Sequence, residues 1–189
     1  MIRIGIVGSI GSGKTYIANK FGFPVFNADS EVNKLYKNDK ICFKKLNKIF
    51  PKQIDSFPIS KESIVDTILK NNSNLTKIMK IVHPLVRKRM KQFLIKNKNK
   101  NIVVLDVPLF LENKMNNKTD VIVFVESKKN KIIKRLKRRK NYNPKLINKF
   151  RKLQLPLEKK KKKSQFTVRN NFSNKFIKKD IKKILKRVL

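Results

Sequence analysis

Short apolar runs alternate along the chain with longer stretches whose apolar residues recur every three or four positions. Ile2-Arg-Ile-Gly-Ile-Val7 reads as a buried strand, and Val25-Phe26 as a second, shorter one. Asn101 to Val107 and Asp120 to Glu126 are apolar at successive positions, the mark of strands covered on both faces. Phe166 to Arg169 adds a short strand near the end. Between them lie helical periods: Tyr16 to Phe21, Ser30 to Lys37, Lys131 to Arg139, Lys145 to Leu153 and the amphipathic stretch Phe176 to Leu189. From Asp39 to about Lys98 three helical faces follow one another. They are Ile41, Leu46, Ile49 and Phe50; then Ser60, Ser63, Ile64, Ile68 and Leu69; then Leu75, Ile78, Met79 and Val82. In the basic helix Ile132, Ile133 and Leu136 form the expected buried stripe. Pro84 suits the first turn of a helix, so the pattern predicts a break at His83. Strands alternating with helices predict an α/β fold on a parallel sheet of about five strands.

Composition narrows the class. At 189 residues and 40% hydrophobic, the chain is long enough to bury a full core as one domain. The single cysteine, Cys42, rules out an internal disulfide and a Cys-based zinc site, and it reads as packing. No apolar run approaches the ~20 residues that span a bilayer, and the start lacks a secretory pattern. A cytoplasmic protein is expected, with no membrane partner and a monomer favoured. The net charge of +37 invites a nucleic-acid partner. Lysine, however, is spread along the whole chain with abundant Asn, Ile and Phe and no Trp, as A/T-rich coding would give. A solvated basic surface set by composition is the favoured reading, and nucleic acid is not the expected partner.

Chemistry concentrates after the first strand. Gly8-Ser-Ile-Gly-Ser-Gly-Lys-Thr15 fits the phosphate-loop pattern of Gly, four residues, Gly, Lys, then Ser or Thr, with a strand before it and a helix after it. Its glycines let successive N–H groups converge on one concavity at a helix N-terminus, which suits a nucleoside triphosphate. Lys14 would reach the β- and γ-phosphates and Thr15 would hold Mg²⁺. Asp29 falls just past the second strand, on the rim where open parallel sheets bind ligands. It would accept a proton or help hold Mg²⁺; equally, it would cap the next helix. Asp106 ends an apolar strand, the usual place for a Mg²⁺-positioning acid, and Glu112 follows it. The only histidine, His83, is more often structural than a ligand, yet with Arg87 one turn on it would suit an anion. Arg135 and Arg139 are expected to share one helical face and to approach a γ-phosphate in transfer. The stretch Lys128 to Lys163 holds 18 Lys or Arg against Glu158 alone, and its two helices around Asn141-Tyr-Asn-Pro144 read as a lid.

Taken together, these segments resemble the dephospho-coenzyme A kinase family over nearly the whole chain. The resemblance rests on Ile10 to Lys14, Asn27-Ala28-Asp29, Val82-His83-Pro84-Leu85-Val86-Arg87 and Asp106 to Glu112. Arg135, Leu136 and Arg139, then Gln154 to Lys159, then the strand leading to Asn170 follow in the family's order. It implies transfer of the ATP γ-phosphate to the ribose 3′-hydroxyl of dephospho-coenzyme A, with ATP and Mg²⁺. Asp29 would be the general base, and Lys14 and Arg135 would stabilise the transition state. ATP would be held by Gly8, Ile10, Gly11, Ser12, Gly13, Lys14, Thr15, Tyr16, Arg139 and Asn170. The acceptor would meet His83, Arg87, Asp106 and Glu112, and the metal Thr15, Asp29 and Asp106. The domain layout implied is a core of 1–38, 100–139 and 164–189, a helical acceptor-covering insertion at 39–99 and a lid at 140–163. The sequence departs from the family at Asn27, Ser9, Tyr16, Ser164-Gln165 and Asn171-Phe172. Two other readings are a kinase of the same fold for nucleoside monophosphates or another small acceptor, and a basic ATPase that binds nucleic acid.

Overall fold

In chain order the elements of the computed structural model are β1 (Ile2–Gly8), α1 (Lys14–Lys20), β2 (Val25–Asn27), α2 (Ala28–Asn38), α3 (Lys40–Ile49), α4 (Lys61–Lys70) and α5 (Asn74–Lys96). They continue as β3 (Ile102–Asp106), β4 (Val121–Glu126), α6 (Lys129–Lys137), α7 (Pro144–Lys152), α8 (Leu157–Lys162), β5 (Phe166–Arg169) and α9 (Asn174–Val188). The structure describes residues 1–171 and 174–189. Phe172, one of the positions where the sequence departs from the family, lies outside the described residues.

Two compact units divide the chain. The first comprises 1–27, 97–142 and 153–189, and the second 28–96 and 143–152. The first is built on five parallel strands in the order β2-β3-β1-β4-β5. Its central strands are apolar through their middles, with Arg3, Asp106 and Glu126 near their ends, because both faces are covered there: Ile4, Ile6, Val104, Val123 and Val125 pack with Ile17, Ala18 and Phe21 of α1 and Ile177, Ile181 and Ile184 of α9. All strands point the same way, so their carboxyl ends form one rim. The phosphate-loop residues follow β1 there, Asp106 ends β3 opposite Asn27, and Ser127 follows β4.

The second unit is organised by α5, whose buried stripe is Leu75, Ile78, Val82, Val86 and Met90. The break expected at His83 does not occur: α5 runs unbroken through Pro84. The missing N–H would have bonded the carbonyl of Lys80, which lies on the solvent side, while Val82 and Val86 stay buried on the other. Packing of that stripe outweighs the loss of one exposed backbone bond, the usual way a helix tolerates proline. Burial also corrects three apolar positions. Ile41, Ile49 and Ile133 are exposed, and the inward face of α3 is Cys42 and Leu46 instead. Burial and the nearby Asp39 push the Cys42 thiol up to about 11, in keeping with a packing residue. Ser60 caps α4 through Ser63 N–H at 2.9 Å. One helix, α8, has no counterpart in the sequence reading, because Leu157 to Lys162 shows no apolar stripe.

Candidate active site

The phosphate loop is shaped by residues pressed against it from the same unit. Gly11 has φ 84° and Gly13 φ 91°, both in the left-handed region that side chains disfavour. An added Cβ at Gly11 would stand 2.9 Å from Leu136 and 3.1 Å from Ile132, so α6 packs directly on the loop. At Gly13 it would meet Asn170 Nδ2 at 2.4 Å and Arg135 Nη1 at 2.9 Å. Arg135 is thereby placed beside the turn into α1, where a bound phosphate would carry charge. Gly8 ends β1 against the carbonyl of Val125, and Ile10 and Ser9 form the outward turn.

Ser12 is wholly buried, and its carbonyl is the loop's anchor. It accepts from Asn170 Nδ2 at 2.7 Å and from Ser127 Oγ at 3.0 Å. Asn170 in turn donates its own N–H to the carbonyl of Glu126 at 2.8 Å. These bonds fix the backbone of the loop at Ser12, whose own N–H bonds the Ser9 carbonyl at 3.2 Å. Sequence reasoning missed Ser127; its position directly after β4, on the ligand-binding rim, was the available signal. Lys14 opens α1, and its ammonium lies along the loop, donating to the carbonyls of Ser9 at 2.9 Å and Gly8 at 3.3 Å. Thr15 is exposed in the first turn of α1. Tyr16 packs its ring against the core and lies under the ammonium of Lys20, 5.2 Å from the ring centre.

Asp106 is 3% exposed, and Asn27 Nδ2 donates to its Oδ2 at 2.6 Å. An aspartate at position 27 would have set two carboxylates against each other there, whereas the amide offers Asp106 a donor. Glu112 Oε1 accepts from Leu155 N–H at 2.9 Å and from Lys160 Nζ at 2.7 Å. Lys160, one of five successive lysines from Lys159 to Lys163, is 1% exposed and so stands apart from the solvated basic surface that composition predicts. Arg139 lies beyond α6, which ends at Lys137, so it does not share a helical face with Arg135. Past Leu136 no apolar residue holds the helix to the sheet, and Arg139 N–H closes a tight turn onto the Leu136 carbonyl at 3.1 Å instead.

In the second unit, Asp29 is the second residue of α2, two positions past the end of β2. The helix begins at Ala28, so Asp29 sits in its exposed first turn, beside the positive end of the helix dipole, rather than capping it. His83 and Arg87 line a cavity of about 390 Å³ on α5 together with Thr76, Met79, Lys80 and Pro84. Burial, and then the charge of Arg87, hold the His83 pKa below its ordinary value, so its imidazole is neutral at neutral pH and offers a hydrogen bond rather than a charge.

The donor set suits Mg²⁺. Among the described residues no three His, Cys, Asp or Glu side chains gather as a metal cage. Mg²⁺ characteristically takes one or two carboxylates plus phosphate oxygens and water, which Thr15 and Asp106 at the loop's own rim would complement. No described helix is long and apolar enough to cross a membrane.

Comparison with known proteins gives one consistent result. Residues 2–175 match the dephospho-CoA kinase family. A dephospho-CoA kinase of Wolbachia sp. subsp. Brugia malayi is 34% identical over 170 residues, covering 87% of each chain. A solved structure from Thermus thermophilus superposes with a TM-score of 0.79 at 22% identity, over 100% of this chain and 98% of that one. Dephospho-CoA kinase from Campylobacter jejuni gives 0.64 at 21% identity, over 98% and 96%. At that identity the two solved structures speak to the fold, which they share with this chain.

Proposed function

The chain belongs to the dephospho-CoA kinase family, and we propose that Lys14, Asp29 and Arg135 are the groups through which it moves the ATP γ-phosphate to the ribose 3′-hydroxyl of dephospho-CoA. The observation that carries this reading is the braced phosphate loop, with Ser12 tied by Asn170 and Ser127 and with Arg135 lying at Gly13. Phosphoryl transfer needs little covalent help from a protein and much positioning and charge.

The loop N–H groups and Lys14 hold the β- and γ-phosphates, and Gly8, Ile10, Gly11, Ser12, Gly13, Thr15 and Tyr16 form the bed in which they lie. Arg135, with Arg139 beyond the end of α6, meets the charge spread over the transferring group. Asp29 accepts the proton of the 3′-hydroxyl as its oxygen attacks phosphorus. Mg²⁺, held by Thr15, Asp106 and Asp29, would neutralise charge on the β- and γ-oxygens. Asn170 adjoins the adenine side, and His83, Arg87, Asp106 and Glu112 recognise dephospho-CoA. Residues 39–99 cover the acceptor and 140–163 act as the lid, excluding water at the moment of transfer. The enzyme works as a monomer in the cytoplasm; Cys42, reduced and buried, suits that compartment.

The test is ADP release by the purified protein with ATP and Mg²⁺, offered dephospho-CoA, AMP, single-stranded RNA or no acceptor. Stimulation by dephospho-CoA alone, with coenzyme A as the product, is the expected result. Stimulation by AMP would make it a nucleoside monophosphate kinase, and stimulation by RNA would make the basic surface the functional one. Mg²⁺ withdrawal with a chelator should abolish release, and readdition should restore it.

A further inference from the structure

The run Lys159 to Lys163 contains five identical residues, and only one of them turns inward. Lys159, Lys161, Lys162 and Lys163 are exposed, whereas Lys160 is 1% exposed. Its neighbour Lys161 pairs with Glu126 at 2.7 Å, but both of those side chains stand well out in solvent, at 46% and 39% exposure. Such a surface pair contributes little. The Lys160–Glu112 pair is of a different kind, with the two side chains 1% and 9% exposed and Nζ 2.7 Å from Oε1.

A buried ammonium is a poor choice where stability is the only requirement. Desolvation of the two ions offsets most of their attraction, and apolar residues of similar volume commonly serve as well or better. The surrounding segment does not need the pair for packing, because Leu109, Phe110 and Leu111 are already buried and Met115 N–H bonds the Phe110 carbonyl at 3.0 Å. What remains without another anchor is the direction of the Glu112 carboxylate. Two donors fix it, Lys160 Nζ and Leu155 N–H, and both bond Oε1, so the clamp does not use Oε2. Lys160 is itself set by α8: its N–H bonds the Pro156 carbonyl at 3.1 Å, and its carbonyl accepts from Ser164 Oγ at 2.8 Å.

We propose that Lys160 is a positioning residue for acceptor recognition, clamping one oxygen of Glu112 from inside the protein so that the other is presented to dephospho-CoA. The proposal rests on Glu112 being an acceptor contact. It assigns to the lysine run a function that resides in one member, and it separates that function from the net charge.

Steady-state kinetics and thermal melts of Lys160→Met, Lys160→Arg, Glu112→Gln and the paired Glu112→Leu/Lys160→Met variant test it. Lys160→Met should raise the KM for dephospho-CoA about tenfold while the KM for ATP stays within about twofold, with Lys160→Arg intermediate. The paired apolar variant should melt near the wild type and still show the raised dephospho-CoA KM. If that variant has wild-type KM values, or if Lys160→Met moves both KM values equally, Lys160 is structural only and the proposal is overturned. If Lys160→Met raises the KM and Glu112→Gln does not, the assignment of Glu112 to the acceptor fails, and the proposal with it, whereas equal rises in both support the two together.

Discussion

At the amino ends of β1 and β4, Arg3 Nη2 pairs with Asp120 Oδ2 at 2.9 Å, and Asn117 N–H bonds the same oxygen at 2.9 Å. At the carboxyl ends of the strands, Ser127, just past β4, and Asn170, just past the neighbouring β5, donate to the Ser12 carbonyl in the loop that follows β1. Both ends bury polar groups, but they use them differently. The amino end matches charge to charge and closes on itself, although Arg3 Nε and Asp120 Oδ1 are left without partners there. Burial raises the Asp120 pKa even against the pull of Asn117 and Arg3, so desolvation is not fully offset. At the carboxyl end, neutral donors are spent on a backbone carbonyl of the phosphate loop, which fixes the loop's backbone. One arrangement stabilises a fold; the other holds a concavity open.

Mutations at the two ends should therefore separate activity from stability. The largest effect belongs to Lys14→Met, which should lower kcat/KM by about 10³-fold with little change in Tm if, as proposed, its ammonium meets the transferring phosphate. Next, Asp120→Ala should cost about 3 kcal/mol in denaturant unfolding by stranding Arg3, while both KM values stay at wild type. Replacing the pair together, Arg3→Met with Asp120→Leu, should recover most of that loss. Asn170→Ala lies between the two kinds: it should cost about 1–3 kcal/mol and also raise the KM for ATP, because the Ser12 carbonyl loses its closer donor.

The smallest expected effect is a pH slope in the helical unit. His83 has a folded pKa below its ordinary 6.5, so the unfolded chain takes up the proton first as pH falls. Its contribution is absent above that value, and stability drops as pH falls below it until the folded form is also protonated. The slope is at most about 1.4 kcal/mol per pH unit for one proton. His83→Gln should lack it in urea unfolding measured from pH 7.5 to 5.

Much of the sheet and the phosphate loop was legible in the sequence because both depend on local signals. Runs such as Ile102 to Leu105 are apolar enough to demand cover on both faces, and the loop's glycines and Lys14-Thr15 stand in one uninterrupted motif. The carboxyl-end donors were less legible. Ser127 carries no motif, and its partner is a backbone carbonyl 115 residues away. Lys160 cannot be told from its four neighbours by residue type, since its burial depends on where Glu112 lies in space. Pro84 misled for a related reason: the rule that proline breaks a helix is local, and α5 is held through it by the long-range packing of Val82 and Val86.

The most direct test of the account is single-turnover phosphoryl transfer by Asp29→Asn, with ATP affinity measured on the same protein. If Asp29 takes the proton of the attacking hydroxyl, the transfer rate falls by about 10²–10⁴-fold while ATP binds as in the wild type. A transfer rate within about threefold of wild type would contradict the assignment of the base and would move the chemistry away from the rim residue that follows β2.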